Sequence, residues 1–206
     1  MEDKAAANAA HRAEACERLS PVGRKLFKYV EFDSDEELIA EIRKHPIGLV
    51  TTGIIGVFIS LSVFIGTILL AANLESLGFN LGDGGGSIKA IIITFGLILS
   101  LLALGITAIS LVLYVRNVVF VTNEKIAEVA YISLFNRKVT QLGLGQVEDV
   151  TVSQRGIFSH IFDFGTIIIE TAGEKENCTF TLVPTPNKFS QIIIEAHEGN
   201  VHSYGN

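Results

Sequence analysis

The sequence predicts an α+β membrane protein, in which a hairpin of two transmembrane helices is followed by antiparallel β-structure and a closing helix. Three observations support this prediction. Of the 206 residues, 49% are hydrophobic and the mean hydropathy is +0.44, which is too apolar for an ordinary soluble domain. Two long stretches carry no charged residue. After them, the sequence changes to the period of β-strands.

The chain before the first apolar stretch divides into two predicted segments. Residues 1–33 are rich in Ala, Glu and Arg with little apolar periodicity, which predicts a disordered or weakly helical tail. Residues 34–46, "SDEELIAEIRKHP", are predicted to form a short interfacial helix, because Ser34 can cap it and Glu37 completes a capping box. Pro46 marks the start of the membrane span, and we interpret His45 as a boundary residue and not as a ligand.

Two uncharged stretches, residues 45–74 and 90–115, predict the transmembrane helices. They contain 30 and 26 residues, and each exceeds the roughly 20 residues that cross a hydrocarbon core. We place the spans at residues 47–72 and 89–115, with an external glycine-rich loop at residues 73–88. The first span is too long for a cleaved signal peptide. The loop sequence "GDGGGS" is not a phosphate-binding loop, because it follows no strand and lacks the Gly-Lys-Ser/Thr that opens a helix.

The distribution of basic residues predicts the orientation. Eight Lys or Arg residues precede the first span and seven follow the second, whereas only Lys89 lies between these two groups, where the connecting loop ends. By the positive-inside rule both termini are cytoplasmic, which predicts a multi-pass protein of the inner (plasma) membrane. Arg43, Lys44 and Arg116 flank the spans, and we predict that these three side chains contact the membrane surface.

Small residues are arranged on one face of each predicted span. No acidic or basic residue lies in the interior of either span, which argues against a transporter or a proton relay. The small residues predict close helix packing. They are Gly48, Thr52, Gly56 and Ser60 in the first span, and Gly96, Ser100, Ala103 and Thr107 in the second. These faces either meet within the hairpin or leave a surface for self-association.

The two cysteines carry no metal or disulfide signal. Cys16 and Cys178 stand alone, with no CxxC or Cys/His spacing around them, and both lie in segments that we place in the reducing cytoplasm. We therefore expect no disulfide, no zinc and no cofactor.

From residue 117 the sequence has the period of β-strands. Six short runs rich in Val, Ile, Thr and Phe are separated by links of hairpin length, which predicts an antiparallel barrel or sandwich. The runs are "NVVFVT", "KIAEVAYI", "NRKVTQL", "QVEDVTVS", "GTIIIETA" and "NCTFTLV".

An amphipathic helix follows the last predicted strand. Thr185 can cap it, Pro186 suits its first position and Gly199 is expected to end it. Its apolar stripe consists of Phe189, Ile192, Ile193 and Ala196. We expect this face to plug an open end of the barrel. The cytoplasmic domain is thus placed at residues 116–199, with a tail at residues 200–206.

Four segments of the chain resemble the bacterial pleckstrin-homology-like (PH-like) domain family, in its membrane-flanked type. They are "VTNEKI", "ISLFNRKVTQLGLGQVEDVTV", "QRGIFSHIFDFGTIIIETAG" and "FTLVPTPNKF". The resemblance covers about residues 37–195, including the "RKHP" before the first span. It implies a partly open barrel of about seven strands, capped by the C-terminal helix and built for binding. In such a fold "IFSHIFDF" is an elbow between two strands, with Phe158, Phe162 and Phe164 packed inward and Gly165 allowing a tight bend.

Charge argues against specific phosphoinositide binding. Eukaryotic relatives that bind these lipids use a basic cluster around the first hairpin, and we assign "TNEK" to that position here. Residues 117–206 carry six basic and ten acidic residues, a net charge of −4. Arg137, Lys138 and Arg155 remain as a candidate ligand patch, with scattered surface charges as the alternative interpretation.

The sequence also argues against an enzyme. Ser159, His160 and Asp163 lie close together in sequence, but no nucleophile elbow or oxyanion motif surrounds them. We expect a non-enzymatic, membrane-anchored binding or scaffold module without catalytic residues. Its expected partners are the lipid bilayer and a protein partner or a second copy of the chain, and not nucleic acid. A lipid-headgroup sensor and an accessory subunit of an oligomeric membrane transport complex remain as alternatives.

Overall fold

The computed structural model describes residues 12–32, 36–79, 84–171 and 177–204. The chain divides into two compact units. The β unit consists of Met1–Gly48 together with Leu113–Asn206, and the helical unit consists of Leu49–Val112. The β unit is therefore assembled from two segments of the chain, between which the helical unit is inserted.

Seven strands and five helices with complete bounds are described. In chain order they are α1 (Pro21–Leu26), β1 (Leu38–Arg43), α2 (Ile47–Asn73), α3 (Gly85–Val115), β2 (Val118–Thr122), β3 (Lys125–Tyr131), β4 (Arg137–Gly143), β5 (Val147–Ser153), α4 (Ile157–Ile161), β6 (Phe164–Thr171), β7 (Cys178–Pro184) and α5 (Pro186–Tyr204). Residues 12–18 are also helical. The six strands predicted after residue 117 are confirmed, as is the start of the last helix at Pro186.

The strands form two antiparallel sheets, one of four strands in the order β1-β2-β3-β4 and one of three in the order β5-β6-β7. Within the described residues the two sheets do not join into a closed barrel. Strand β1 pairs with β2, so that Arg43 lies opposite Val118. Both long helices therefore lie within the connection between the first two strands of one sheet.

The pairing of β1 with β2 shows that the interfacial helix predicted at residues 34–46 is wrong. Residues Leu38–Arg43 form a strand, while Ser34, the predicted cap, lies outside the described residues. Leu38 and Ile42 are buried, a spacing that fits a helix face as well as a strand. The backbone of β2 supplies the hydrogen bonds that favour the strand, and such tertiary pairing overrides local propensity. It also places residues 36–46 inside the domain that was predicted to begin at residue 116.

The inner core lies between the two sheets and α5. Its largest fully buried members include Ile126, Leu144, Ile167, Ile169 and Ile193. Ala196 is buried with them, and Phe189 and Ile192 pack against the same cluster, which confirms the predicted stripe of the last helix. About 1.5–3 kcal/mol per buried large side chain makes this core the main stabilising contact between the sheets.

The last helix continues past Gly199 to Tyr204, so the predicted end at residue 199 is wrong. A glycine within a helix costs only about 1 kcal/mol relative to alanine. Two contacts hold this part of α5: His197 Nδ1 lies 2.8 Å from the Leu144 carbonyl oxygen, and Asn200 Nδ2 donates to the Asn123 carbonyl at 2.9 Å. The tail predicted at residues 200–206 is therefore helical at least as far as residue 204.

A second core lies on the outer face of the four-stranded sheet, where residues 12–32 pack. Leu26, Phe27, Val30 and Phe32 of this segment are buried against side chains of β2 and β3. The Phe27 ring is 5.0 Å from Phe32 and 5.2 Å from Phe120. The prediction of a disordered or weakly helical tail is therefore wrong for residues 12–32. The apolar residues of this segment follow no regular period, because they belong to two short helices and a turn.

Polar contacts fasten the same segment to the sheet. Arg12 donates from Nη2 to the carbonyls of Phe27 and Val30, at 2.8 and 2.9 Å. Ser20 caps α1 by accepting from the Gly23 N–H at 3.0 Å, and it donates from Oγ to the Glu41 carboxylate of β1 at 2.6 Å. Because both cores share β2, all five residues of that strand are buried.

The helical unit is formed by most of α2 and α3. These helices have 27 and 31 residues and are long and apolar enough to cross a membrane. Apolar side chains such as Phe58 and Ile91 are 70% and 67% exposed, so the two helices are mostly not buried within this chain. Helix α3 begins at Gly85, four residues before the predicted start at 89, and α2 ends at Asn73, close to the prediction.

Candidate functional site

The two connections between the β unit and the long helices meet at one place, which we call the junction: residues 43–48 and 113–118. The Tyr114 hydroxyl donates to the His45 carbonyl at 2.7 Å, and Lys44 Nζ lies 5.6 Å from the centre of the Tyr114 ring. Gly48 packs against the same ring, where any side chain would collide with it. Within the β unit, the start of α2 and the end of α3 are therefore held together.

His45 connects the junction to the three-stranded sheet. Its backbone N–H donates to the Leu182 carbonyl at 2.6 Å, and its ring lies 5.4 Å from the Phe164 ring. Leu182 has a φ of +56° and lies in β7 beside an irregularity of the β6–β7 register. A bulge of this kind redirects a backbone group out of the ladder, which leaves the Leu182 carbonyl available to His45. The histidine is thus part of the structural boundary, in agreement with its interpretation from the sequence.

The predicted elbow is present, but its aromatics do not point inward. Residues Ile157–Ile161 form the short helix α4. Phe158 and Phe162 are 70% and 46% exposed, with their rings stacked 6.4 Å apart, and Phe164 is half-buried against His45. The inward-facing residue is the small Ser159, whose hydroxyl donates to the Gly156 carbonyl at 2.6 Å.

The outward direction of Phe158 and Phe162 has a simple physical cause. A helical turn places residues i and i+4 on one face, so that Phe158 and Phe162 lie together on the outside of α4. Gly165 follows directly and must be glycine for close packing: a Cβ atom there would lie 2.8 Å from Gln154 Cγ and 3.0 Å from the Ser153 carbonyl oxygen. The strand β6 therefore approaches β5 too closely at Gly165 for a residue with a side chain.

A second exposed apolar segment is the turn between β3 and β4, residues 132–136. Ile132 and Leu134 are exposed, and Phe135 is 98% exposed. This β3–β4 turn lies beside the end of α3, because the Tyr131 N–H donates to Asn117 Oδ1 at 2.8 Å and the Arg116 guanidinium lies 5.4 Å from the Tyr131 ring centre.

A cavity of 310 Å³ opens beside the elbow. Its polar lining consists of four hydroxyl side chains and one cation. The lining residues are Ser153, Arg155, Ser159, Phe164, Gly165, Thr166, Ile168, Thr181 and Leu182. A guanidinium among hydroxyls is a suitable arrangement for an anionic group of small size.

The structure does not unite the predicted ligand patch. Arg137 and Lys138 are exposed at the start of β4 in the four-stranded sheet, where the Arg137 guanidinium lies 3.5 Å from the centre of the Tyr29 ring. Arg155 is exposed beside the cavity, after the last residue of β5 in the other sheet. A hydrogen bond from Lys28 lowers the pKa of the Tyr29 hydroxyl, with further contributions from the charges of Lys28 and Arg137.

The three residues predicted to contact the membrane surface all lie at the junction. Arg43 and Arg116 are exposed and Lys44 is half-buried. Arg43 is the last residue of β1 and Arg116 follows α3 directly. Arg116 thus lies on the short link after α3, and Arg43 lies directly before the short link to α2.

Sequence reasoning missed an acidic residue between the sheets. Glu128 lies on the inward side of β3 and lines a cavity of 60 Å³ together with Lys44, Thr179 and Thr181. Burial raises the pKa of Glu128, while the charges of Lys44 and Lys138 counteract this shift. Burial, together with the charge of Glu128, also raises the pKa of the Cys178 thiol. The sequence pattern that could have revealed Glu128 is an acidic residue at an inward position of the alternating strand "KIAEVAY".

Within the helical unit, the predicted small faces of the two helices lie against each other. The Ser60 and Ser100 hydroxyls are buried and 2.7 Å apart. Side chains at Gly56 and Gly96 would collide with Thr107 and Thr67, respectively. Thr52 and Ala103 are half-buried. The structure thus shows the first of the two alternatives for these faces, contact within the hairpin.

Two observations in the described part of the chain concern metal binding and the residues considered for catalysis. No group of three or more His, Cys, Asp or Glu side chains there could hold a metal ion. Among the residues considered for catalysis, Ser159 bonds a backbone carbonyl and Asp163 accepts from Gln154 Nε2 at 3.2 Å. Neither contact is the nucleophile–base pair that hydrolytic chemistry requires.

Comparison with known proteins gives a family match and similarities to solved structures. A family profile described as "Bacterial PH domain" matches residues 47–197. A crystal structure of a DUF1696 family protein with a pleckstrin-homology domain from Shewanella loihica PV-4 is similar at 12% identity and a TM-score of 0.35, over 41% of this chain and 73% of that one. The N-terminal PH domain of Vps36 is similar at 17% identity and a TM-score of 0.31, over 44% and 67%. No curated protein matches the sequence.

Proposed function

Since the chain belongs to the bacterial PH domain family, we propose that it is a non-enzymatic binding module, anchored in the membrane by its own β1–β2 connection and directed at a protein partner. PH-domain families are generally non-catalytic and act by binding. The fold alone does not specify the ligand, because one fold serves many partners. The proposal therefore depends on how this chain builds and places the domain.

The observation that supports anchoring is the insertion of two apolar helices within one sheet. The links between strand and helix are short: residues 44–46 join β1 to α2, and residues 116–117 join α3 to β2. The helices expose their apolar side chains along most of their length, as Phe58 and Ile91 illustrate. Such a surface is unfavourable in water and suits hydrocarbon. Two covalent links then hold the β unit at the membrane surface.

The charge distribution supports a cytoplasmic β unit. Of the 16 Lys and Arg residues, eight precede α2 and seven follow α3, and the remaining one, Lys89, lies near the start of α3. By the positive-inside rule the β unit and both termini face the cytoplasm of the inner membrane. A module fixed in this thin layer has a raised effective concentration toward other membrane-bound proteins.

The outer edge of β4 is the surface that we propose for a protein partner. Strand β4 ends the order of the four-stranded sheet, and within the described residues no strand pairs with its free edge. Arg137, Lys138 and Gln141 are exposed along it. An extended peptide can add to such an edge through main-chain hydrogen bonds. The two basic residues favour a partner segment with acidic side chains.

Crosslinking tests this function. A photoreactive amino acid replaces Gln141 on β4 in the full chain, and Glu195 on the exposed side of α5 serves as the matched control. Irradiation of native membranes is expected to give an adduct with one protein from Gln141 and none from Glu195. An adduct with a second copy of the chain would support self-assembly instead. Absence of any adduct from Gln141 would contradict the edge as a partner site.

The cavity beside the elbow favours a second candidate function, binding of an anionic lipid headgroup. Arg155 and the hydroxyls of Ser153, Thr166 and Thr181 line it. Short-chain phosphatidylglycerol added to the detergent-solubilised protein should raise its melting temperature, and Arg155→Gln should abolish the increase. An increase that persists in Arg155→Gln would exclude this cavity as the headgroup site.

A further inference from the structure

The β unit concentrates its exposed apolar side chains in two loops. Of the nine large apolar residues that are exposed in its described part, seven lie in these loops. The β3–β4 turn contributes Ile132, Leu134 and Phe135, and the elbow, residues 157–162, contributes Ile157, Phe158, Ile161 and Phe162. Only Ile39 and Ile194 lie elsewhere. Scattered apolar residues are ordinary on a protein surface, whereas clusters at loop tips indicate a contact.

Each loop lies beside one of the two links to the long helices. The β3–β4 turn is joined to the link after α3, through the hydrogen bond from Tyr131 to Asn117 at 2.8 Å. The elbow is joined to the link before α2, because Phe164 packs on His45, whose N–H bonds to Leu182 at 2.6 Å. Two loops that are far apart in sequence are thus placed at the same end of the β unit, which is the junction.

Charge at this end has one predominant sign. Arg137 and Lys138 follow the turn directly, and Arg155 precedes the elbow. Together with Arg43, Lys44 and Arg116, all six basic residues singled out from the sequence flank the two loops or the links. Apolar tips with Lys and Arg beside them are typical of segments that enter the headgroup region, where anionic lipids attract the cations.

The acidic residues lie mainly at the opposite ends of the strands. Glu36 precedes β1, Glu124 lies in the β2–β3 turn, Glu148 and Asp149 lie at the start of β5, and Glu170 lies near the end of β6. At the elbow, Asp163 is exposed and accepts from Gln154. Glu128 faces the cavity between the sheets, beside Lys44. Anionic lipid would therefore meet the basic end of the β unit while most carboxylates remain distant from it.

We propose that the junction end of the β unit rests on the bilayer, with the β3–β4 turn and the elbow inserted into the headgroup and upper acyl region. This inference depends on the membrane anchoring proposed above and adds two non-covalent contacts to the two covalent links. Insertion of such segments extends about 5–10 Å below the surface. The contact fixes the rotation of the β unit relative to the membrane, because two separate loops must enter it together. The free edge of β4 is then presented in a constant direction.

Tryptophan fluorescence provides the test, because the chain contains no tryptophan. Single variants Phe135→Trp and Ile161→Trp place a reporter in each loop at an exposed position. Phe58→Trp reports on α2, and Ile194→Trp, an exposed apolar position on α5, is the matched control. Each full-length variant is reconstituted into vesicles of phosphatidylcholine and phosphatidylglycerol, with bromine either near the headgroup or near the end of the acyl chains.

The inference predicts that shallow bromine quenches the reporters at 135 and 161, that deep bromine quenches the reporter at 58, and that neither quenches the one at 194. Quenching at 58 without quenching at both 135 and 161 overturns the two-loop contact and leaves the anchoring intact. No quenching at 58 overturns the anchoring itself. Equal quenching at 135, 161 and 194 would also overturn the inference, since it would mean that the β unit contacts lipid without a preferred face.

Discussion

The outer face of the four-stranded sheet and the two loops at the junction are both apolar, yet the chain covers only the first. Residues 12–32 pack over the sheet and leave Phe27 fully buried, whereas Phe135 in the β3–β4 turn is 98% exposed. The β unit thus shields one apolar surface with its own N-terminal segment and leaves another open beside the links to the long helices. In the membrane contact proposed above, the open surface is the one that meets lipid.

The two surfaces also differ in their polar surroundings. The covered face is closed by buried or partly buried polar contacts, in which Arg12 bonds two backbone carbonyls and Glu41 accepts from Ser20. The exposed loops have basic residues at their edges, Arg137 after the turn and Arg155 before the elbow. Satisfied polar groups are required where water is excluded, while cations are useful where phosphates are near.

The largest expected effect concerns the covered face. Phe27→Ala removes a ring that contacts Phe32 and Phe120 and should lower the free energy of unfolding of the β unit by about 3–5 kcal/mol, because a cavity remains. Hydrogen exchange of the β2 amides in detergent micelles measures this loss. An effect below about 1 kcal/mol would mean that residues 12–32 do not form a core with the sheet.

The next effect concerns an ion pair between Glu36, which precedes β1, and Lys125 of β3. Glu36 is completely buried and its carboxylate lies 2.9 Å from Lys125 Nζ. Lys125→Met leaves a buried carboxylate without its cation, and the expected loss of stability is about 3 kcal/mol. Lys188→Met, at an exposed position of α5, is the matched control and should change little. Equal effects of the two substitutions in the same exchange measurement would show that the pair contributes nothing specific.

The sequence predicts the strands that pair with a neighbour close in the chain, and it misses the strand whose partner is distant. Hairpin strands after residue 117 were identified because each pairs with a neighbour in sequence and shows a period of two. Strand β1 was not, because "LIAEIR" fits a helix equally well and its partner β2 lies beyond both long helices. For the same reason "TNEK" was assigned to the first hairpin, although the structure places it between β2 and β3.

For the candidate sites, the sequence predicts which residue types are present but not where they lie or which way their side chains point. The sequence identified the basic residues and the aromatic elbow, because charge and residue type can be read directly. It could not show that Arg155 follows a strand of a different sheet from that of Arg137, nor that a helical turn directs Phe158 and Phe162 outward. Directions of this kind depend on the folded backbone, in which residues Ile157–Ile161 form a helical turn with Ser159 as its buried residue.

A smaller effect is expected from Glu128, the inward acid near the junction. Burial raises its pKa, so between the ordinary glutamate pKa and this raised value the folded state holds a proton that the unfolded state has lost. Stability therefore falls as pH rises through that window. Solvent screening keeps the effect below about 1 kcal/mol, because the side chain is only partly buried.

Glu128→Gln should remove this pH dependence and increase stability at neutral pH. Glu148→Gln, at an exposed position of β5, is the control. Hydrogen exchange across the acid range, corrected for the intrinsic exchange rate, compares the two variants. A pH profile of Glu128→Gln identical to that of the unchanged protein would contradict the assignment.

The smallest expected effect on stability is that of Phe135→Ala, which makes the same chemical change as Phe27→Ala on the uncovered surface. Because Phe135 is 98% exposed, its loss leaves no cavity, and the free energy of unfolding in detergent should change by no more than about 0.5 kcal/mol. For contact with lipid in vesicles, by contrast, Phe135→Ala should have the larger effect of the two substitutions. Phe135→Ala combined with Ile161→Trp should weaken the quenching of that tryptophan by shallow bromine, because the two loops enter the bilayer together. Unchanged quenching would show that the elbow inserts independently of the turn, and the β unit would then be free to rotate about a single contact.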